Sequence, residues 1–152
     1  MNRTRIREAS CPADRMALET VRLEVFVKEQ RVPRNAEFDG LDSSALHWLA
    51  LTPKDEPVGT LRLLPNGQIG RLAVLHDYRG KGIGSRLLHH AIAAAEALGW
   101  DEVWLNAQHQ RRDFYAPHGF IVVSDIFEDA GIPHQRMLRP LNQMAHALLH
   151  SN

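Results

Sequence analysis

A glycine-rich turn between a short apolar strand and an amphipathic helix constrains the fold of this chain more than any other feature. The strand is predicted over residues 69–74, and the turn reads Arg-Gly-Lys-Gly-Ile-Gly from Arg79 to Gly84. Beyond it, apolar residues recur at helical spacing as far as Ala95. Glycines at a helix start let an anion approach backbone N–H groups that lack intrahelical acceptors, and the helix dipole favours the same ligand. The turn therefore predicts a phosphate site, with Arg79 and Lys81 as mobile positive charges at its rim.

Two familiar phosphate-binding motifs do not fit this turn. A P-loop requires G-x-x-x-x-G-K-[ST], and that string does not occur in the chain. A dinucleotide-binding turn requires G-x-G-x-x-G, and Ser85 stands where the last glycine belongs. The pattern that does occur is R-x-x-G-x-G, at Arg79, Gly82 and Gly84. A glycine-rich connection that binds no ligand is the alternative interpretation.

Composition favours an ordinary intracellular domain. The 152 residues suit one domain, expected over residues 1–141, with a short tail of open role at residues 142–152. The net formal charge of zero offers no general reason to bind nucleic acid or an anionic membrane. The single cysteine, Cys11, excludes an internal disulfide framework and suits a reducing cytoplasm. No apolar run reaches the roughly 20 residues of a membrane span.

The order of predicted elements is a strand, a helix, several hairpin-linked strands, and then β-α-β-α-β-β. Strands are expected at residues 3–9, 45–52, 58–64, 69–74, 102–108, 120–123 and 135–139. Helices are expected from Pro12 to before Pro33, from the glycine turn to Gly99, and over residues 111–118, while residues 126–134 are expected to form a loop. This order predicts an α/β fold in three layers, with a mixed sheet flanked by helices.

A second motif follows the glycine turn and the next predicted strand. It reads Phe-Tyr-Ala-Pro-His-Gly-Phe from Phe114 to Phe120. Together with R-x-x-G-x-G, it resembles the GCN5-related N-acetyltransferase (GNAT) superfamily, whose glycine turn holds the pyrophosphate of coenzyme A. Residues 25–33, 37–42 and 127–134 are similar to the ElaA-like branch, so the resemblance covers most of the chain from residue 3 to residue 141.

The resemblance implies a GNAT-like fold whose mostly antiparallel sheet splays between the fourth and fifth strands. Backbone groups of Leu72, Ala73 and Val74 would then hold the pantetheine arm of acetyl-CoA, and the N–H of Leu72 would hold the thioester carbonyl. The pyrophosphate would rest on the turn, whose cofactor-binding candidates are Arg79, Gly80, Lys81, Gly82, Ile83 and Gly84. Gln108 stands where the family often has an asparagine that contacts the cofactor arm, and Asn106 is a second candidate.

Tyr115 matches the tyrosine that protonates the departing CoA thiolate in this superfamily. A phenol has an ordinary pKa of about 10, so it is protonated at neutral pH and can donate. The alternative is a core tyrosine whose hydroxyl is satisfied within the protein. Cys11 is expected to be an ordinary thiol, so transfer should proceed without a covalent enzyme intermediate.

The acceptor side offers several candidates. Glu37, Asp39 and Asp42 lie in a loop that the family folds over the acceptor, where a carboxylate would bind a cationic amine or take its proton through water; a solvated acidic loop is the alternative. His47 is a candidate base or a satisfied, partly buried histidine. In the late loop, His134 and Glu128 are candidates for the acceptor pocket. The nine histidines contain no ligand-spaced set such as H-E-x-x-H, so no metal is expected.

The sequence therefore predicts an acetyl-CoA-dependent N-acetyltransferase in which an amine attacks the thioester directly in a ternary complex. The acceptor is expected to be a small-molecule amine or a protein or peptide amine, and neither nucleic acid nor membrane is an expected partner. The alternative is a catalytically inactive acyl-CoA-binding sensor or interaction module. Dimers are common in the superfamily, so a homodimer is also an open expectation.

Overall fold

Strands and helical segments contribute about equally to the regular structure of the computed structural model, which describes residues 3–10, 13–32 and 39–141. The strands found there are β1 Arg5–Ala9, β2 Leu46–Leu51, β3 Pro57–Leu63, β4 Ile69–Val74, β5 Glu102–Gln108, β6 Ile121–Val122, β7 Phe127–Asp129 and β8 Ile132–Pro140. The α-helices are α1 Arg15–Arg22, α2 Ile83–Ala97 and α3 Arg112–Tyr115. Short 3₁₀ turns occur at Asp42–Ser44, His76–Tyr78, His109–Arg111 and Ala116–His118.

The described residues divide into two compact units. The first comprises the residues up to Pro65 together with Ile69–Ala91, and the second comprises Asn66–Gln68 together with the residues from Ile92 onward. In the described part of the chain, β4 and β5 belong to separate hydrogen-bonded sheets. This confirms the expected break after the fourth strand. None of the described helices is long and apolar enough to cross a membrane.

The first unit contains an antiparallel sheet in the order β1-β2-β3-β4. Helix α1 packs against it through Leu18 and Val21, whose spacing places them on one side of the helix. Leu18 packs with Leu49 and Leu51 of β2, and Val21 packs with Ala73 of β4. These side chains are all buried and form two apolar clusters between the helix and the sheet.

The predicted first helix is present, but it changes type along its length. After Arg22 the chain continues as a π-helix over Leu23–Glu29. The apolar spacing of the sequence identifies a helical segment but does not distinguish an i→i−4 from an i→i−5 hydrogen-bond pattern. The end of helix α2 is as predicted: Gly99 has φ of 77° and its N–H donates to Glu96, while the N–H of Trp100 donates to Ala95. These two bonds form a Schellman motif.

The second unit contains β5, β8 and β6 in that order, with β7 paired to β8, and all of these pairs are antiparallel. Val103, Leu105 and Ala107 alternate along β5 and are buried, which confirms that they point to one side. The isolated parallel bridge between Gln68 and Trp104 lies in the same unit. The hydrophobic alternation of β5 therefore sets which of its residues face the core.

The prediction of a loop at residues 126–134 is wrong, because this segment contains a hairpin. Strands β7 and β8 are joined by Ala130 and Gly131, whose φ values are 51° and 77°. Two central residues with positive φ make a tight turn of the kind that matches the twist of paired strands. Hairpin prediction relies on Asn-Gly or Asp-Gly at these two positions. The chain has Ala-Gly instead, and alanine rarely adopts a positive φ, so the sequence does not indicate the turn. The predicted tail at residues 142–152 lies outside the described residues.

Candidate active site

The glycine turn has the conformation that an anion site requires. Gly80 and Gly82 have φ of 75° and 80°, and a Cβ added at either position would meet nothing within 4 Å. Glycine is therefore needed for the backbone angle, and the space around it is open. Helix α2 begins at Ile83, and the N–H of Arg86 donates to the Gly82 carbonyl at 3.1 Å. The amides before Arg86 thus belong to the first turn of a 15-residue helix, where the dipole is positive.

Arg79 is not the mobile rim charge that the sequence predicted. Its Nε donates to the Val74 carbonyl at 2.8 Å, and its two terminal nitrogens donate to the two carboxylate oxygens of Glu29 at 2.7 Å each. These hydrogen bonds to Glu29 raise the pKa of the Arg79 guanidinium. Lys81 is exposed and lies over the Tyr78 ring, with Nζ 5.4 Å from the ring centroid. At this rim, Lys81 is therefore the accessible charge and Arg79 ties the turn to the helical segment before it.

Strand β4 contains a β-bulge at the residues expected to hold the acetyl-CoA arm. Thr60 of β3 lies opposite Ala73, and Arg62 lies opposite Gly70, so Arg71 and Leu72 together face the single residue between Thr60 and Arg62. Arg71 has a φ of 51°, which is unusual for a residue with a side chain. The Thr60 hydroxyl donates to the Arg71 carbonyl at 3.0 Å. A bulge of this kind changes the direction in which the local backbone groups point.

The carboxylate of Asp39 is saturated by hydrogen bonds from within the chain. One oxygen accepts from Arg62 at 2.9 Å and from the Leu41 N–H at 3.1 Å, and the other accepts from Arg62 at 3.0 Å and from Arg71 at 3.1 Å. Burial alone would raise the pKa of Asp39, but the arginine and amide partners outweigh it and lower the pKa to about 2. A carboxylate offers about four acceptor positions, and here four are filled. The Asp39 side chain stays 28% exposed, but its acceptor positions are filled within the chain, so it is not available as a direct ligand for an amine.

Asp42 is bound in the same network. Its carboxylate accepts from Arg22 at 2.9 and 3.0 Å and from Arg62 at 3.0 Å, and its backbone carbonyl accepts from His47 Nε2 at 2.8 Å. His47 is buried, and burial lowers its pKa, so the histidine is neutral and satisfied, as the alternative interpretation expected. Arg22 and Arg62 were missed by the sequence reasoning, although an arginine within the apolar face of a helix or strand is the signal of a buried ion pair. Glu37 lies outside the described residues.

Tyr115 lies at the end of α3, in the second unit. Its ring makes edge-to-face contacts with Phe114 at 5.0 Å and with Phe120 at 5.9 Å between centroids. Burial raises the pKa of the phenol to about 12, opposed slightly by the charge of Arg111. The phenol is therefore protonated throughout the physiological range, and the two phenylalanines fix the plane of its ring.

Two other candidates, Gln108 and His134, lie directly opposite each other on β5 and β8. His134 is buried; its Nδ1 donates to the Ile132 carbonyl at 2.7 Å, and its ring stacks on Phe127 with centroids 6.0 Å apart. Since a carbonyl can only accept, the hydrogen is on Nδ1, and in the neutral ring Nε2 carries the lone pair. Asn106, the second candidate for the cofactor arm, accepts from Arg136 at 3.2 Å. Opposite residues in an antiparallel pair share a face of the sheet, so Gln108 and His134 are neighbours.

Comparison with known proteins agrees with these features. The chain matches the family described as "Acetyltransferase (GNAT) domain" over residues 12–140. It is 39% identical to the uncharacterized N-acetyltransferase YjcF of Bacillus subtilis over 123 residues, which cover 78% of this chain and 87% of that protein. It is 33% identical to ElaA of Escherichia coli over 135 residues, which cover 84% of this chain and 88% of ElaA.

Solved structures show the same architecture. The crystal structure of Escherichia coli ElaA superposes with a TM-score of 0.80 at 30% identity, covering 89% of this chain and 99% of ElaA. An acyl-CoA N-acyltransferase from Pseudomonas aeruginosa superposes with a TM-score of 0.80 at 32% identity, covering 90% of this chain and 99% of that protein. The fold is therefore the mixed α/β fold, with antiparallel sheets flanked by helices, that GNAT proteins share.

Family match, sequence relatives and fold all define one class of protein: the chain belongs to the GNAT family of acetyltransferases. Within that family, the relationship to ElaA in both sequence and structure assigns it to the ElaA-like branch, as the sequence motifs predicted.

Proposed function

We propose that this chain transfers an acetyl group from acetyl-CoA to an amine by direct attack in a ternary complex. The observation that carries the proposal is the open turn at the start of helix α2, where Gly80 and Gly82 hold left-handed backbone angles with free space beside them. A pyrophosphate is the anion that such a turn suits, because several backbone N–H groups and the helix dipole act on it together. Lys81 supplies an accessible positive charge, and Ile83 and Gly84 supply the first amides of the helix.

The acyl end of acetyl-CoA is proposed to bind along β4. Backbone groups of Leu72, Ala73 and Val74 would bond the pantetheine amides as a neighbouring strand does. The Leu72 N–H in the bulge would donate to the thioester carbonyl. When the amine nitrogen attacks the carbonyl carbon, negative charge develops on that oxygen, and a fixed donor stabilises it. On the other sheet, Gln108 is proposed to contact the same cofactor arm.

Breaking the carbon–sulfur bond leaves CoA as a thiolate, which gains a proton, while the attacking amine loses one. We propose Tyr115 as the donor to that sulfur. A thiol has an ordinary pKa near 8.5, so complete proton transfer from a phenol with a pKa of about 12 is uphill by roughly three to four pK units. Tyr115 therefore acts chiefly by a hydrogen bond that strengthens as charge develops on sulfur, and the amine's proton finally neutralises the thiolate.

On the acceptor side, we propose that His134 meets the amine. Its Nδ1 is held by the Ile132 carbonyl, so the ring presents Nε2, which accepts a hydrogen bond or a proton from an amine. Glu37 remains a proposed acceptor-side residue. Because its carboxylate is filled, Asp39 does not bind the amine directly and instead holds the adjacent backbone.

The proposal is tested by following free thiol release from acetyl-CoA with a panel of amines that includes polyamines, amino acids, aromatic amines and lysine peptides. The expected result is thiol release that depends on one class of amine and is accompanied by the acetylated product in mass spectrometry. Acetyl-CoA binding without transfer to any class would favour the sensor function. Absence of both binding and transfer would contradict the proposal altogether.

A further inference from the structure

The bulge in β4 is held in a conformation that the chain does not adopt by default. Arg71 has a positive φ, and a non-glycine residue keeps such an angle only when its surroundings determine it. Backbone outliers of this kind concentrate at functional sites, where strain aims a group at a ligand. The residues that contact Arg71 are therefore the ones that hold the backbone of the bulge in this orientation.

The first of these residues is Thr60, whose side chain is buried in the middle of β3. Its hydroxyl donates to the Arg71 carbonyl at 3.0 Å. The carbonyl of Arg71 and the N–H of Leu72 belong to the same planar trans peptide group, so they point in opposite directions along one rigid unit. A hydrogen bond that fixes the carbonyl therefore fixes the direction of the Leu72 N–H as well.

The second residue is Asp39, which joins the two strands around the bulge. Arg62 on β3 lies opposite Gly70, one residue before Arg71 on β4. One oxygen of Asp39 accepts from Arg62 at 3.0 Å and from Arg71 at 3.1 Å. Since Arg62 is buried and also bound to Asp42, it is a fixed anchor through which Asp39 holds the side chain of Arg71.

We propose that Thr60 and Asp39 are positioning residues that hold the Arg71–Leu72 peptide so that its N–H meets the thioester carbonyl. This inference rests on the proposed function and adds to it the parts of the chain that set the donor's direction. Neither residue touches the reacting atoms. Thr60 acts on the peptide's carbonyl end, and Asp39 acts on the side chain of the residue that carries the strained angle.

The test for Thr60 compares two ligands that share the pyrophosphate but differ in the thioester. Acetyl-CoA presents a carbonyl to the Leu72 N–H, whereas desulfo-CoA presents none. In Thr60→Val, calorimetry should show acetyl-CoA binding weakened about threefold with desulfo-CoA binding unchanged, since only one ligand loses a hydrogen bond. Thr60→Ser keeps the hydroxyl and should restore the wild-type ratio of the two affinities. A purely structural role would change both ligands together.

The test for Asp39 uses a matched substitution elsewhere in the first unit. Asp14 is also paired with an arginine, Arg7, at 2.9 and 3.0 Å, and its pKa is likewise lowered to about 2, chiefly by that hydrogen bond. Asp39→Asn should reduce the preference for acetyl-CoA about threefold, whereas Asp14→Asn should leave it unchanged. With an amine that accepts acetyl groups, each of Thr60→Val and Asp39→Asn should lower kcat about tenfold. The reason is that the Leu72 N–H no longer points at the thioester oxygen, where negative charge develops.

The amide resonance of Leu72 gives a readout that needs no ligand. In the free protein, Thr60→Val should shift this resonance, while Thr60→Ser should leave it near its wild-type position. An unchanged Leu72 resonance together with an unchanged affinity ratio in Thr60→Val would overturn the positioning role. Failure of wild-type protein to bind either ligand would instead count against the proposed function, so the two failures are distinguishable.

Discussion

Arg79 and Glu29 form a bidentate ion pair, in which each terminal nitrogen of the guanidinium lies 2.7 Å from a different carboxylate oxygen. A third Arg79 donor, Nε–H, is bound to the Val74 carbonyl at the end of β4. Glu29 is the last residue of the π-helical segment. The first residue of the glycine turn is thus tied both to the strand before it and to a helical segment distant in sequence. Arg79 shapes the turn, and its charge is already balanced by a carboxylate.

This pairing predicts the effect of Glu29→Gln on acetyl-CoA binding. Glutamine still accepts one hydrogen bond from Arg79, but the negative charge beside an anionic ligand disappears. This removes a repulsion between Glu29 and the phosphates of acetyl-CoA, which salt screens only weakly at low concentration. Binding should therefore tighten roughly threefold at low salt. Calorimetric titration at low and high salt measures this change. Weaker binding at both salt concentrations would mean that the full ion pair is required for the shape of the turn.

Gly82→Ala and Gly99→Ala form a matched pair that separates stability from binding. The two glycines have φ of 80° and 77°, and an added Cβ meets nothing within 4 Å at either position. Each alanine should lower the free energy of unfolding by about 1 kcal/mol, because a side chain disfavours the left-handed region. Only Gly82→Ala should also weaken acetyl-CoA binding, by about tenfold or more. Urea unfolding and calorimetry measure the two effects, and equal loss of affinity in both variants would contradict the assignment of the turn.

Tyr115→Phe should lower kcat about a hundredfold while leaving acetyl-CoA affinity nearly unchanged, because the hydroxyl acts on the leaving thiolate. Burial raises the pKa of Tyr115 to about 12, so the phenol keeps its proton as the pH rises. Deprotonation of Tyr115 should therefore cause no fall in the rate below about pH 11. Steady-state rates from about pH 6 to 10 check this expectation. Tyr78→Phe is the control, since it also removes a hydroxyl. A similar effect from both variants would contradict the role of Tyr115.

Acid should weaken the fold partly through Asp39. Its folded pKa of about 2 lies below the ordinary value of 3.8, so its stabilising contribution is complete above pH 3.8 and is lost as the pH falls through about 2. Because the Asp39 side chain is 28% exposed, solvent screens its ion pairs, and the contribution is reduced to about 1 kcal/mol. Asp39→Asn should therefore reduce the free energy of unfolding at neutral pH and flatten its decline between about pH 4 and 2. Denaturant unfolding at several pH values measures this; an unchanged slope would contradict the network's contribution.

The proposed contact between His134 and the amine can be tested by removing the ring nitrogens. His134→Phe keeps an aromatic ring but removes both ring nitrogens, including the Nε2 acceptor. The amine dependence of the rate should then show a KM for the amine raised about tenfold, with acetyl-CoA affinity unchanged. Phe127→Leu is the comparison, because it removes the stacking partner but leaves both nitrogens of His134 in place. If His134→Phe leaves the amine KM unchanged, this histidine does not meet the acceptor.

The backbone of the site could be predicted from the sequence because local patterns determine it. Alternating apolar residues place β5 at Glu102–Gln108, the bounds predicted from the sequence. Glycines and helical spacing place the turn before α2, and Gly99 ends that helix. The hairpin at Ala130 and Gly131 was missed because tertiary pairing with β8 imposes a positive φ on an alanine, against its local preference.

The side-chain partners of the site could not be predicted, because they join residues far apart in sequence. Asp39 and Arg71 meet only after the loop packs on the sheet, and Glu29 meets Arg79 only after the first helical segment lies beside β4. In the sequence, Asp39 is therefore indistinguishable from a solvated loop residue. The bulge is equally hidden, since a shift of register leaves no trace in apolar periodicity.

The central claim, that the turn at residues 79–84 binds the pyrophosphate of acetyl-CoA, is tested most directly by calorimetric titration of the purified protein. Acetyl-CoA, desulfo-CoA and ATP are titrated into wild type and into Gly82→Ala. Micromolar binding of both CoA compounds, little binding of ATP, and loss of CoA affinity in Gly82→Ala are the predicted results. A folded protein that binds neither CoA compound, or a Gly82→Ala variant that binds them as wild type does, would contradict the claim.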